Sequence, residues 1–583
     1  NNKLNVKYFN ESSRKDRHVY PVLLFATIRV QNIHSKCVFG LILVLVIAGT
    51  LCDHWQLESH SQMELLFHST TDSQKTKKSF ESYEKSSKPL LYEILISFSV
   101  KINAKKIFDT KGTDTSIQVF HGIRVLSMLW ILIGHSFAFA VQWMTFRNPL
   151  VIREVPQNIM SQLLANGTFS VDCFFFISGF LVSYVVMTKA KKHSGKPNIF
   201  LFYLHRYLRM TPSMMAVIAF SATLLQYLGS GPQWTESITM FNGWCQKNWW
   251  VNGLYLHNFV NTQNMCLSHS WYSAVDMQFY FLSPLILVPL YLKPVLGISL
   301  AILALFCSMG LTGYLTLIND FPAVPYINDV VEQAVVDKYY RLLYIKPYCR
   351  VGPYLVGILL AYAIYTSQGD IKMKKFYSTM GWIISFVVSL GVLFAMFPAN
   401  NGNVPEVHIA ALYSSTSRTI WALSLSWVTF ACITGNGGFI NAFLSAKVWV
   451  PFSRLTHCAY LVHPIVMAVL YGSREHPFDF SSYLFVSLTN QLLTKQSTNK
   501  CNRVAVHRNL EAIDNQKDVS PDTKPTLYKE FQISSDIKKY LLFKRHINEK
   551  IKRYIMNNIN ISIQRILMYR TIRSSDVRQR PEG

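Results

Sequence analysis

Long apolar runs separated by short polar or basic connections organise this chain. Runs of span length fall at residues 120 to 141, 169 to 188, 205 to 228, 269 to 291, 295 to 317, 350 to 366, 377 to 397, 417 to 436 and 448 to 471. Residues 37 to 52, CVFGLILVLVIAGTLC, are short for a span but uncharged, and tilt or local bilayer thinning accommodates them. The pattern predicts an all-α, polytopic transmembrane helix bundle of about ten spans. A polar stretch from Asp53 to Lys88 leads into LLYEILISFSV, which reads as an interfacial helix rather than a span. SSYLFVSLTNQLL begins like one more span at Ser481 and stops in KQSTNK, and no span-length run follows.

The expected organisation is then a luminal N-terminal remnant (1–36), a first span (37–52), a cytoplasmic linker with its interfacial helix (53–119), a membrane domain (120–475), and an incomplete last span running into a basic, disordered tail (476–583). The chain opens on Asn1 with no secretory pattern before its first apolar run, which is expected of a processed or incomplete product.

Composition agrees with a membrane protein: half of the 583 residues are hydrophobic and only 15% are charged, against roughly 25% in soluble domains. The formal charge of +25 resembles a nucleic-acid signature, but the basic residues sit in short runs between apolar segments. KAKKHSGK at 189 to 196 and IKMKK at 371 to 375 belong on the cytoplasmic side by the positive-inside rule. From Lys495 onward, 19 Lys and Arg face 9 Asp and Glu, so 19 − 9 gives +10 in the tail alone. A solvated tail or a membrane-surface patch explains that excess, and no nucleic-acid partner is expected.

Alternation of the spans places the loops near 142 to 168, 229 to 268, 318 to 347 and 398 to 416 outside. Asn166-Gly-Thr forms a glycosylation sequon in one of them, and Asn10-Glu-Ser is a second outer sequon. Cys245 and Cys266 share an outer loop in an oxidising compartment and are expected to pair, rigidifying a lid that contains Trp244, Trp249 and Trp250. Two unrelated free thiols are the alternative reading. The ten cysteines include no CxxC, so no metal site is expected.

Ionisable residues inside spans are costly and tend to face the protein interior. With a rise of about 1.5 Å per residue, His135 lies about 9 Å, Asp276 about 10 Å and His463 about 12 Å from the outer ends of their three helices. A carboxylate beside an imidazole would orient it and support its cationic form, as a general base requires. Toward the cytoplasm, Arg124 lies on the same helix as His135, and Arg206 and Arg209 share a face of the next basic segment, HRYLR. Guanidinium groups in this arrangement suit a phosphate-bearing ligand, whereas snorkelling to lipid headgroups is the plainer alternative. Packing alone also accounts for a single His463, and His269, beside Trp271 at the membrane boundary, reads as an interfacial anchor.

Several long segments, in order, resemble the family-three membrane acyltransferases, and among them the animal branch called nose resistant to fluoxetine. HGIRVLSMLWILIGH is similar to the first motif, with its Arg and a His eleven residues later, and VDCFFFISGFLVSY is similar to the second. HRYLRMTP contains the RxxR element, and CQKNWWVNGLYLHNF, HSWYSAVDMQFYFLSPLIL, YCRVGPYLVGILLAY and SRLTHCAYLVHPIVM resemble the later blocks. The resemblance runs from about Lys101 to Val466, which marks the membrane domain as acyltransferase-3-like.

It implies His135 as catalytic base, Asp276 as the acidic position after the Trp, and Arg206 with Arg209, joined by Arg124, as donor-binding residues. His463, His121 and Trp271 become candidate site-lining residues. Where the bacterial pattern carries Asp and Glu, this sequence has His121 and Asp276. The expected activity is transfer of an acyl group from a cytosolic donor such as acyl-CoA to a hydroxyl of a lipid or other acceptor. Membrane lipids, the acyl donor and an acceptor are the expected partners, and no bound cofactor is expected. The endoplasmic reticulum or plasma membrane is the expected location. A lipid or drug transporter that keeps the fold without the chemistry remains the alternative.

Overall fold

A computed structural model describes residues 39 to 479 apart from 56–89, 111–116, 144–145, 149–154, 193–198, 240, 325–331, 370, 372 and 478. By internal contacts the chain forms two units, Asn1–Gln496 and Ser497–Gly583, and every described residue belongs to the first. The N-terminal remnant with its Asn10 sequon, most of the polar linker and the basic tail therefore lie outside the described residues.

The described residues form helices and turns with no strand element, as a chain surrounded by hydrocarbon requires when each segment satisfies its own backbone groups. The main helices, in chain order, are α1 (Phe39–Trp55), α2 (Leu90–Ile96), α3 (Val100–Phe108), α4 (Val119–Gln142), α5 (Phe169–Lys192), α6 (Ile199–Thr223), α7 (Asn242–Gly253) and α8 (Trp271–Leu282). They continue with α9 (Pro284–Leu292), α10 (Pro294–Ile318), α11 (Val351–Thr366), α12 (Lys375–Phe394), α13 (Val407–Ile433), α14 (Gly438–Leu444) and α15 (Trp449–Gly472).

All ten expected spans fall on these helices. Six are long and apolar enough to cross a membrane, and up to seven if α13 and α14, bent by 92° across their break, count as one. α1 and α11 are shorter apolar helices, and α6 has the length but carries Arg206 and Arg209. The span predicted at 269 to 291 is α8 followed by α9, joined at Ser283 with Pro284 in the first turn of α9, where a missing N–H costs no helical hydrogen bond.

The interfacial segment divides into α2 and α3 instead of one helix. Ser99 caps α3 by accepting from the Ile102 N–H at 3.3 Å, and its hydroxyl donates to Asp53 of α1 at 2.8 Å. At the other end of α3, the Arg454 guanidinium donates to the Lys106, Ile107 and Asp109 carbonyls. These are the carbonyls that a helix C-terminus leaves unpaired, and they carry partial negative charge. The linker is thus pinned to α1 and to the start of α15.

The centre of the bundle is the crossing of α5 and α11. A Cβ on Gly179 would collide with the Tyr354 carbonyl, and one on Gly357 with the Phe176 carbonyl, so the two backbones meet through absent side chains. Phe175, Phe176, Phe180, Leu355 and Ile358 fill the surrounding core. Leu303, Phe306, Phe386 and Leu412 are exposed on the outside. An exposed apolar belt is what a helix bundle presents to lipid tails.

Candidate active site and the buried charges around it

The outer third of the bundle holds a cluster of imidazoles. His135 of α4 and His463 of α15 stack with ring centroids 5.0 Å apart, and His135 Nδ1 lies 2.7 Å from His463 Nε2. One residue along α4, the Ser136 hydroxyl is 2.7 Å from the Tyr471 hydroxyl, which ties the same two helices together.

His269 completes the group. Its ring meets His463 edge to face at 5.4 Å, its backbone carbonyl accepts from the Tyr460 hydroxyl at 2.6 Å, and its Nε2 is buried without a partner. His269 is therefore an interior residue and not the interfacial anchor its position suggested: the short helical turn at Ser268–Ser270 carries it inward ahead of α8. Among the described residues, no group of three or more His, Cys, Asp or Glu side chains is arranged to hold a metal ion.

Asp276 is not beside His135. Its carboxylate pairs with the Arg206 guanidinium, which also reaches Ser178 Oγ at 3.4 Å and lies over the Tyr280 ring at 4.2 Å. Equal depth along three helices brought His135 and His463 together but turned Asp276 toward α6, because rise fixes height in the membrane and not the direction in which a helix face points. Asp276 Oδ1 and Arg206 Nε are buried and have no partner, so the pair retains one acceptor and one donor for another group.

Arg206 and Arg209 also part company. Arg206 is engaged by Asp276, whereas Arg209 is exposed and lies near Arg124 of α4. Among the described residues, neither Arg124 nor Arg209 has a carboxylate within ion-pair distance. His121, one turn before Arg124, has a buried Nδ1 without a partner, and His457 Nε2 lies 3.2 Å from Ser213 Oγ. Arg124 and Arg209 thus leave positive charge without a carboxylate near the start of α4, away from the His135, His463 and His269 cluster.

A second buried ion pair was not anticipated. Arg350, at the start of α11, donates to both oxygens of Asp172 in α5 at 3.2 and 3.3 Å, and both side chains are fully buried. Arg350 Nε donates to the Tyr344 carbonyl at 2.9 Å, and the guanidinium lies over the rings of Tyr344 and Trp271 at 4.4 and 5.1 Å. Nearby, Arg418 donates to the Cys349 carbonyl at 3.2 Å. An Asp three residues into an apolar run was the available signal, since an intramembrane charge implies a partner. Trp271, expected to line the site, is instead packed among Arg350, Tyr344 and Phe175.

A Cys245–Cys266 disulfide closes the loop between α6 and α8 and ties α7, which runs alongside α6, to the segment just ahead of α8. Trp249 and Trp250 are about half exposed on α7. Beneath them, Asn252 donates to the Cys266 carbonyl and to Ser270 Oγ, each at 3.0 Å, and Ser270 Oγ is 3.0 Å from His257 Nε2. Burial pushes His257 down from 6.5 to about 4.

The Asn166 sequon does not present its side chain to solvent. Its side chain is buried and its Nδ2, the atom that would carry a glycan, donates to the Leu393 carbonyl at 2.7 Å. The short turn into α5 folds this Asn inward against the end of α12.

Comparison with known proteins adds an independent line. The acyltransferase 3 family profile, described as an acyltransferase domain, matches residues 117–489. The chain is 33% identical over 419 residues to nose resistant to fluoxetine protein 6 of Caenorhabditis elegans, a match covering 67% of this chain and 50% of that protein. It is 24% identical over 402 residues to regulator of hypoxia-inducible factor 1 of the same organism, covering 65% and 75% of the two chains. A Staphylococcus aureus protein provisionally named an O-acetyltransferase is 27% identical over 193 residues, covering 33% of this chain and 28% of that one. The chain thus spans half the length of the first of these relatives. No solved structure matches it.

Proposed function

Because this chain belongs to the acyltransferase 3 family of membrane proteins, we propose that it transfers an acyl group from cytosolic acyl-CoA to a hydroxyl of a lipid or other acceptor. The observation that carries this reading is the division of polar residues along one helix. Arg124, without a carboxylate partner, stands at the inner end of α4, and His135, in contact with a second imidazole, stands eleven residues, about 16 Å, further out.

The donor phosphates bind Arg124 and Arg209, where guanidinium forks match phosphate oxygens. Arg206, held by Asp276, contributes positive charge and its free Nε at the middle of the path. The thioester reaches His135. There the imidazole takes the proton from the acceptor hydroxyl as its oxygen attacks the thioester carbonyl; the carbon–sulfur bond breaks, and the departing thiolate recovers that proton. Asp276 acts through Arg206 and not on His135. The disulfide-closed, Trp-bearing loop between α6 and α8 bounds the bundle beside the site, and the endoplasmic reticulum or plasma membrane supplies the acceptor.

Membranes containing the protein are incubated with labelled acetyl-CoA or palmitoyl-CoA and every labelled product is separated. Transfer is expected with the wild type and is expected to fall by about 10²–10⁴-fold in His135→Ala. Equal product from the two proteins would remove His135 as the base. The same polar interior would also serve a lipid or drug transporter, and substrate flux without acyl-CoA consumption is the result that favours that reading.

A further inference from the structure

The contacts of His463 determine which nitrogen of His135 is free to act. In a helix, the carbonyl of residue 460 accepts from the N–H of residue 464. Residue 464 is proline, which has no N–H and whose ring crowds the carbonyl four residues back. The Tyr460 carbonyl is therefore left without its helical donor, and His463 Nδ1 lies 2.7 Å from it. The Ala459 carbonyl, 3.2 Å from the same nitrogen, lies four residues before His463 and is positioned to accept the backbone N–H of that residue.

A nitrogen facing carbonyl oxygens must carry a proton, because a carbonyl can only accept. In neutral His463 the proton is thus on Nδ1 and the lone pair is on Nε2. That lone pair lies 2.7 Å from His135 Nδ1, so Nδ1 of His135 must be the donor. The remaining lone pair of His135 is then on Nε2.

We propose that His463 is a positioning residue that fixes the tautomer of His135 and shares its charge, a role that rests on His135 being the base. The His463-Pro464 pair replaces the carboxylate that commonly orients a catalytic imidazole. When His135 Nε2 takes the acceptor proton, His135 becomes an imidazolium and its Nδ1 proton moves along the 2.7 Å contact to His463 Nε2. His463, now cationic, still donates Nδ1–H to the Tyr460 carbonyl, whose dipole stabilises it. The proton returns by the same route when His135 Nε2 protonates the departing thiolate, so neither histidine is consumed. His269, edge to face with His463 and with an Nε2 that has no hydrogen-bond partner, bounds the pair on its third side.

Four proteins test this, assayed purified with labelled acetyl-CoA and the total lipid of the host membrane as acceptor. His463→Phe keeps the ring volume and removes the acceptor, and kcat is expected to fall by about 100-fold with KM for acetyl-CoA unchanged. His463→Gln places an amide oxygen near the position of Nε2 and is expected to recover about ten-fold of that loss. Pro464→Ala returns an N–H to the Tyr460 carbonyl, competes with His463 Nδ1, and is expected to lower kcat in the same direction. In a His135→Ala background, His463→Phe is expected to have no further effect.

A His463→Phe protein within two-fold of wild type, while His135→Ala is inactive, would overturn the relay and leave the acyl-transfer reading intact; both variants active would remove the base assignment itself. The tautomer has a readout that needs no turnover. In protein labelled with ¹⁵N-histidine, the ring signals lost in His135→Ala are expected to show a protonated Nδ1 and a bare Nε2. The reverse assignment overturns the proposal.

Discussion

Removing Asp276 strands the partly buried Arg206, and removing Asp172 strands the fully buried Arg350. Asp276→Asn leaves Arg206 without its counter-charge, so turnover and stability fall together. Asp172→Ala, at the fully buried pair with Arg350, is expected to cost about 3–5 kcal/mol, because breaking one side of a buried pair leaves an uncompensated charge. Thermal unfolding in detergent reads both effects. The double substitution Asp172→Leu with Arg350→Met is expected to be less damaging than Asp172→Ala alone, and a double variant that unfolds earlier would contradict this pairing. His135, Arg124 and His463 could be picked out individually in the sequence because each is an ionisable group inside an apolar run. Which of them touch could not be read, since helical rise gives depth without azimuth: Asp276 has the depth of His135 and the partner Arg206.

Glycine governs how closely two helices approach, and the α5–α11 crossing depends on Gly179 and Gly357. Gly357→Leu is expected to push α11 away from the Phe176 carbonyl and to abolish a monodisperse peak in fluorescence-detected size exclusion, whereas Gly310→Leu, with open space around its Cβ position, is expected to be tolerated. The outer loop carries a pH-dependent element. Because burial holds His257 near 4 in the folded loop against 6.5 in the unfolded chain, the unfolded loop binds more protons between those values. Its stability is complete above about pH 6.5 and is lost as pH falls toward about 4. Lowering pH from 7 to 4.5 should therefore reduce the unfolding temperature of the wild type more than that of His257→Gln. An equal loss in both proteins would place the acid sensitivity elsewhere. At this scale the sequence was informative about helices and poor at joints. The interfacial segment divided at Ser99, the Ser283–Pro284 junction joined two helices in one span, and the Asn166 sequon turned inward.

Across the whole bundle, arginines without a carboxylate partner, Arg124 and Arg209, lie toward the start of α4, whereas the His135, His463 and His269 cluster lies toward its other end. Single cysteines introduced at Lys374 and Lys247, each in a background lacking the exposed native cysteines, should label from opposite sides of sealed vesicles with an impermeant maleimide. Labelling from the same side would overturn the orientation on which the donor assignment rests. The apolar runs specified a membrane helix bundle without further help. A bilayer offers no partners for backbone polar groups, so span length and hydrophobicity are imposed on the chain locally and are written in consecutive residues. The ordered motifs likewise carried the family resemblance. The choice of polar partners was left to the folded bundle: His135 with His463, Asp276 with Arg206, Asp172 with Arg350. Each joins helices distant in sequence, and whether two such side chains meet depends on how far each helix is rotated and how closely the glycine crossings let the backbones approach, neither of which any local stretch of sequence encodes.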